Sequence, residues 1–217
     1  AAEAEAQGAV FAYRSEVVAM TRTGFGWRVT ARDAAGETGD VDCAAVVNAA
    51  GLAGDDIAQG AGFDLDAKGY RLHYCKGDYF SLAPGAPLRV SGLVYPVPAG
   101  PGLGVHATVD LGGRVRFGPD AEYVDSIRYD VDAAKAEGFA EVVRRYLPAL
   151  QSEWLSPDYA GVRPKLAAPG EAFRDFVVAE ESEAGFPGFV NCLGIESPGL
   201  TASPAIASRV VEMLASL

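Results

Sequence analysis

Few residues of the kinds that most often declare a chemistry occur in this chain of 217. It has two histidines, His73 and His106, and three cysteines, Cys43, Cys75 and Cys192. No CxxC or Cys/His pair suggests a zinc site. Three scattered cysteines, each in or beside an apolar run, do not make a disulfide framework. They read as buried reduced thiols, which places the expected compartment in the cytoplasm. Basic residues are also scarce: 18 Lys and Arg against 29 Asp and Glu, a net charge of −11. Without a basic stripe, nucleic acid is not an expected partner. No apolar run approaches the length of a membrane span, so no transmembrane segment is expected. The opening stretch does not have the pattern of a signal peptide, and none is expected. The first residues, Ala-Ala-Glu-Ala-Glu-Ala without a methionine, read as the middle of a helix, so a processed chain or a piece of a longer protein is expected. A GxGxxG after a strand, Walker A, GxSxG, HExxH and an EF-hand loop are all missing, and the acidic residues show no spacing that marks a catalytic pair.

What remains is a globular mix, with 49% apolar and 22% charged residues, which excludes a disordered chain. Runs rich in β-formers cover 9–20 and 26–33, around a TRTG turn. AAVVNAAG (44–51) is an apolar strand ending on small residues, followed by a short helix near 52–59. YRLHYCKGDYFSL (70–82) is a strand broken at Gly77. Residues 90–119 divide into three short strands with Pro/Gly loops and a DLGGR hairpin, and GPGLG at 100–104 reads as a turn. A helix is expected over 131–147. Phe139, Val142, Val143, Tyr146 and Leu147 lie on one face, Asp130 or Asp132 caps its start, and Pro148 ends it. Strands follow at 158–166, 174–180 and 186–194. The final helix carries Ile206, Val210, Met213, Leu214 and Leu217 on one face. The order implies a mixed α+β and α/β fold: part of an α/β domain (1–67 and 183–217) interrupted by an antiparallel-sheet domain with a long helix (68–182).

Three groups of residues have the chemistry of a site. Asn48-Ala49-Ala50-Gly51 ends a strand with nothing larger than a methyl after the asparagine. It therefore either lets a ligand approach the backbone or is an ordinary strand-to-helix turn. GIESPGLTAS, from Gly194 to Ser203, empties into the last helix. The N–H groups of Leu200, Thr201 and Ala202 are expected as first-turn donors beside a positive helix end, suited to a phosphate, carboxylate or polarised carbonyl. Pro204 is read as a first-turn proline that loses no helical bond. The alternative is simple capping by Ser197 or Thr201. Third, His73, Lys76, Tyr95, His106, Arg163 and Lys165 sit in or beside apolar strands. Of these, Arg163 is a guanidinium on an apolar strand that wants a carboxylate, from a substrate or from a neighbouring acid. Lys165 reads first as a surface residue.

In order along the chain, VVNAAGLAGDDIA, YRLHYCKGDYFSL, LVYPVP, LGVHATVDLGGRVRFGP, YAGVRPKL and FVNCLGIESPGLTAS resemble the FAD-dependent oxidoreductases of the D-amino-acid oxidase/glycine oxidase superfamily. Within it they are most similar to the L-2-hydroxyglutarate dehydrogenase/oxidase branch. The resemblance implies FAD as cofactor, with Asn48, Ala49, Ala50 and Gly51 beside the dinucleotide. It implies that Gly194, Ile195, Glu196, Ser197, Gly199, Leu200 and Thr201 wrap the flavin, with the last helix aimed at the N1–C2=O edge of the ring. Lys76 and Gly77 are implied to approach the ring. Arg163 would clamp the carboxylate of a small-molecule substrate, with Lys76 and Tyr95 as further substrate-binding residues and His73 or His106 as the base. The expected reaction is oxidation of a small 2-hydroxy acid by hydride transfer to flavin; the alternatives are an amino-acid or amine oxidase, or a non-catalytic ligand-binding module that kept the fold. The family's opening βαβ unit with GxGxxG is missing from these residues, so the chain by itself is expected to bind FAD weakly or not at all.

Overall fold

The computed structural model describes residues 1–97 and 104–215. Most of the GPGLG turn, Pro98 of LVYPVP, and Leu217 lie outside the described residues. Along the chain the elements are α1 (Ala2–Ala6), β1 (Glu16–Arg22), β2 (Trp27–Arg32), β3 (Thr38–Cys43), β4 (Val46–Asn48), α2 (Gly54–Gly60), α3 (Leu65–Lys68) and β5 (His73–Leu82). They continue with β6 (His106–Val109), β7 (Val115–Gly118), β8 (Glu122–Val124), α4 (Ala136–Val143), β9 (Leu155–Lys165), β10 (Val177–Glu181), β11 (Phe186–Leu193) and α5 (Gly199–Ala215). This is the expected mixed architecture.

The chain forms two compact units: residues 1–72 with 175–217, and residues 73–174. In the first, β1, β2 and β3 make an antiparallel sheet, while β10, β11 and β4 make a second one in which β11 and β4 run parallel. Trp27, Phe63, Phe186 and Phe189 stack in its interior, with Phe63 and Phe186 ring centroids 4.0 Å apart. The strand expected at 174–180 within the inserted region is β10, and it pairs with β11 in the first unit.

In the second unit β5 is the organising strand. Along one edge it pairs with β9 over nearly its whole length; along the other it meets β8 at Tyr74–Lys76 and β7 at Phe80–Ser81. Side chains of a strand alternate between faces, and directly paired residues share a face. Phe80 and Phe117 therefore point to one side, with Ala107 and Val115, and there they pack on Phe139, Ala140 and Val143 of α4. The helix is shorter than the expected 131–147. Asp132 caps a 3₁₀ turn at Ala133–Lys135 by accepting from Ala134 N–H, α4 follows, and after Val143 the chain tightens again, with Tyr146 N–H bonded three residues back. All five residues of the expected apolar face nonetheless reach the same core. The DLGGR segment is the hairpin between β6 and β7, where Asp110 Oδ1 accepts from Gly112 and Arg114 N–H.

Candidate functional site

In the first unit the two small-residue loops leave neighbouring strands at the same end. β4 and β11 are parallel, with Asn48 in register with Asn191. Three residues beyond each asparagine stands a glycine with positive φ, Gly51 at 60° and Gly194 at 68°. Loops at the carboxyl end of parallel strands are the usual place for a ligand in α/β sheets. Ala49, Ala50 and Gly51 are exposed, and no atom lies within 4 Å of where a Cβ on Gly51 would stand. Asn48 itself is buried, and its amide is engaged inside the protein. Nδ2 donates to Gly54 O at 2.7 Å and to Asn191 Oδ1 at 2.9 Å. Its side chain shapes the turn and does not face outward from it.

The second loop differs from expectation in two details. α5 begins at Gly199, so Ala202 N–H is already taken by Pro198 O at 3.0 Å and is not a first-turn donor. Gly199 N–H goes to Glu196 O, which leaves Leu200 and Thr201 to present first-turn N–H groups. Nor is Pro204 in the first turn: it is the sixth residue of α5 and removes the donor that Leu200 O would have had. The Ser203 hydroxyl donates to that carbonyl instead, at 2.8 Å. Thr201 Oγ1 donates to Pro198 O, so its hydroxyl is not a cap for the helix N–H groups. Gly199 is buried, and a Cβ there would collide with Ile195 Cγ2, so the glycine lets the loop close on the helix start. Ile195 and Glu196 are half-buried; Ser197 and Leu200 are exposed.

In the second unit, register sorts the polar residues onto two faces of one sheet. His73 pairs with Lys165, Cys75 with Arg163 and Gly77 with Gly161, so all of these share the face opposite α4. Tyr79 and Tyr159 join them, with rings stacked 4.4 Å apart at 10°. His106 pairs with Gly118 and carries Tyr95 against its ring, with centroids 4.3 Å apart. A Cβ on Gly118 would strike the Tyr79 ring at 2.6 Å, which ties this row to the tyrosine pair. Burial raises the Tyr79 hydroxyl to about 12, helped by Tyr159 and Tyr95 and opposed by the charge of Arg163. It therefore stays a hydrogen-bond donor at neutral pH. Arg116 shares this face, but its guanidinium is held by Asp158 at 2.6 Å and Asp110 at 3.0 Å. His73 and His106 stand at opposite ends. Tyr79, the row to which His106 belongs, lies six positions along β5 from His73, about 20 Å at strand spacing.

Lys76 is a correction. It lies on the other face, 2% exposed, with Nζ 2.6 Å from Asp78 Oδ1 and donating to Asp130 O. Asp78 is completely buried and is also held by Lys135 at 2.7 Å, which in turn pairs with Asp120 and Glu122. Burial favours protonation of Asp78, but Lys135 and Lys76 outweigh it and hold the carboxyl below the usual range. Lys76 therefore anchors the sheet to the segment before α4 and has no ammonium to offer a substrate. Gly77 has a local reason too: a Cβ would lie 2.7 Å from Pro119 Cβ and 3.1 Å from Asp120 O.

Tyr79, Tyr159, Asn191 and the ion cluster of Asp78 and Lys135 were not singled out from the sequence. Tyr79 shares odd-number parity with His73 in a single strand, and that alternation could have found it. Among the described residues no helix is long and apolar enough to cross a membrane, and no group of His, Cys, Asp or Glu has the arrangement of a metal site.

Comparison with known proteins gives this geometry a family. Residues 1–213 match the family described as DAO, FAD dependent oxidoreductase. A mitochondrial L-2-hydroxyglutarate dehydrogenase of Arabidopsis thaliana is 41% identical over 77% of this chain and 37% of its own length. A glycerol 3-phosphate dehydrogenase of Caloramator mitchellensis is 29% identical over 94% of this chain and 39% of its own. Among solved structures, an L-alpha-glycerophosphate oxidase of Mycoplasma pneumoniae with FAD bound has the same fold. It superposes with a TM-score of 0.73 at 24% identity, over 92% of this chain and 50% of that one. The chain thus spans well under half the length of the two curated relatives. It belongs to the DAO family of FAD-dependent oxidoreductases.

Proposed function

We propose that this chain is the part of an FAD-dependent oxidoreductase that supplies the substrate-binding sheet and the loops at the flavin edge, and that the complete protein oxidises a small 2-hydroxy acid of the 2-hydroxyglutarate kind. The observation that carries this reading is Arg163. It stands half-buried on the face of the second unit's sheet opposite α4, directly across from Cys75, with its charge acting on the Tyr79 hydroxyl of the same face. A planar guanidinium in that setting suits a carboxylate. The Arabidopsis relative supports a hydroxy acid as substrate.

The first unit fits FAD. The open space over Gly51, the exposed backbone of Ala49 and Ala50, and the first-turn N–H groups of Leu200 and Thr201 would hold the cofactor. Bound FAD would supply the hydride acceptor. The chain's own residues supply the rest. Arg163 orients the carboxylate and Tyr95 contributes exposed aromatic surface. One histidine takes the hydroxyl proton as the carbon–oxygen bond becomes a carbonyl. Within the first unit, the positive end of α5 would favour negative charge on the bound cofactor. By register His73, two residues from Arg163's partner Cys75, is nearer to the arginine than His106, which supports His73 as the base. The Caloramator relative favours a second reading, with a phosphate monoester of glycerol at the same arginine. The three cysteines, two buried and one half-buried, suit a reducing compartment such as the cytoplasm.

The test is kinetic, on the complete protein. Arg163→Ala is expected to raise KM for L-2-hydroxyglutarate about 100-fold, in line with loss of a charge-assisted bidentate pair, with flavin content unchanged. Of His73→Ala and His106→Ala, only the former is expected to slow flavin reduction in single turnover. An unchanged KM in Arg163→Ala removes the arginine from the site. Turnover of glycerol 3-phosphate but not of the hydroxy acid selects the second reading.

A further inference from the structure

A polar chain crosses the first unit behind the proposed flavin loops. Asn48 Nδ2 donates to Gly54 O at 2.7 Å, so one side chain clasps both ends of the turn 49–53. Its second Nδ2 hydrogen goes to Asn191 Oδ1 at 2.9 Å on the adjacent parallel strand. Asn191 Nδ2 donates to Glu181 Oε1 at 3.0 Å on β10. Glu181 in turn accepts from the Tyr70 hydroxyl at 2.7 Å and from Lys68 Nζ at 3.0 Å. Asn48, Asn191 and Glu181 are 2%, 0% and 3% exposed. An amide has a donor end and an acceptor end, and a buried chain of amides runs in one direction. Here the direction is forced at both ends. A carboxylate accepts only, so Asn191 must turn its NH₂ toward Glu181 and its oxygen toward Asn48. The Asn48 NH₂ is then required by both Asn191 and Gly54, which leaves its oxygen facing Ala50 N–H at 3.4 Å, the weakest link.

We infer that Glu181 is a positioning residue for the turn Ala49–Gly51, acting through Asn191 and Asn48 across three strands, and that it sets the affinity of this turn for the flavin cofactor. This rests on the FAD reading above. The Glu181 carboxylate accepts from Asn191, Tyr70 and Lys68, and its influence on the turn is the orientation it imposes on two buried amides. Tyr70 and Lys68 belong to the same device from the other side: they hold the carboxylate in place. Burial first, and then the Glu181 carboxylate it bonds, push the Tyr70 hydroxyl well up, so the phenol remains the donor.

The experiment uses the complete protein and two substitutions, Glu181→Leu and Asn191→Leu. Glu181→Leu removes the Oε1 acceptor shared by Asn191 and Tyr70, so nothing fixes the direction of the Asn191 amide. Asn191→Leu removes the link and leaves Asn48 without its partner. Two readouts are taken: the Kd for FAD by quenching of flavin fluorescence, and amide hydrogen exchange of the peptide containing Ala49–Gly54 in the cofactor-free protein. Both variants are expected to weaken FAD binding about tenfold and to speed exchange in that peptide, with exchange in β1–β3 unchanged. Exposed Lys68→Met is expected to shift both readouts in the same direction, by less. If the wild type binds FAD and the variants match it in Kd and exchange, the positioning role is overturned while the FAD reading stands. If the wild type binds no FAD, the FAD reading falls and with it the role in affinity. Faster exchange throughout the unit would also overturn the inference, because Glu181 would then be a stability residue only.

Discussion

Single residues in this protein are best judged by what already holds them. Lys135 is the sharpest case. Its ammonium meets Asp78, Asp120 and Glu122 within 3.0 Å, and those bonds raise its pKa despite burial. Removing it by Lys135→Met leaves Asp78, completely buried, with Lys76 alone. Breaking a buried pair from one side is expensive because the other charge stays behind, so a loss on the order of 3 kcal/mol is expected in urea unfolding. Arg128→Met is the comparison. Arg128 pairs with Glu122 and Asp130 on the surface and should change stability by less than about 1 kcal/mol. Equal effects would mean that the cluster has no buried centre. Much of the candidate site can be read at this scale in the sequence. Arg163 stands out because a guanidinium on an apolar strand needs an explanation. Lys76 stands out for the same reason and means something else, because its partner is two residues away on the same face. Nothing in KGD by itself says which lysine-bearing segment will close over that face. The repeated pattern VNAAG and VNCLG is a signal of another kind: two strands, each with an asparagine three residues before a left-handed glycine. It becomes interpretable only when the strands are known to be parallel and in register.

Elements show where local pattern ends and packing takes over. The apolar periodicity of 131–147 marks the correct face, yet α4 covers only eight residues of it, and 3₁₀-type turns carry the remaining side chains into the same core. The strand at β10 has the composition of any half-buried strand, and its membership in the first unit is set by its pairing with β11, which local sequence does not encode. Gly77 reads as a strand break, and the structure keeps the strand intact through it. The glycine is needed because the Pro119–Asp120 loop passes directly over it. The opposite residue in the ladder, Gly161, has nothing within 4 Å of a Cβ position. This gives a paired prediction. Gly77→Ala must displace backbone and should destabilise the protein by about 1–3 kcal/mol, as overpacking does. Gly161→Ala should be within about 0.5 kcal/mol of the wild type or slightly stabilising, because the unfolded chain loses freedom. Thermal melts of the two variants decide it, and a reversed order would refute the close approach at Gly77.

At the level of the whole molecule, two units with separate cores carry different kinds of acid sensitivity. In the second unit the lysine cluster holds Asp78 and Glu122 below their ordinary range, and the N–H groups of Arg114 and Gly112, with Arg116, do the same for Asp110. In the first unit the lowered carboxyls, Asp42 and Asp66, belong to surface pairs with Arg28 and Arg71. A carboxyl whose pKa is depressed by folding contributes stability that is fully present above its unfolded value, near 4, and is lost as pH falls through the lower folded value. Asp78 weighs most, since protonating it strands two lysines, one of them buried, against a neutral acid. The second unit should therefore loosen first as pH is lowered from about 6 to about 3. The two tryptophans fall one in each unit, Trp27 in the aromatic stack of the first and Trp154 beside the core of the second. With Trp27→Phe and Trp154→Phe each leaving a single reporter, acid titration should shift the Trp154 emission at a higher pH than that of Trp27. Lys135→Met should remove that difference, because the cluster that makes the second unit acid-sensitive is then already broken. If Trp27 responds first, the acid sensitivity of this protein is not governed by the buried ion cluster.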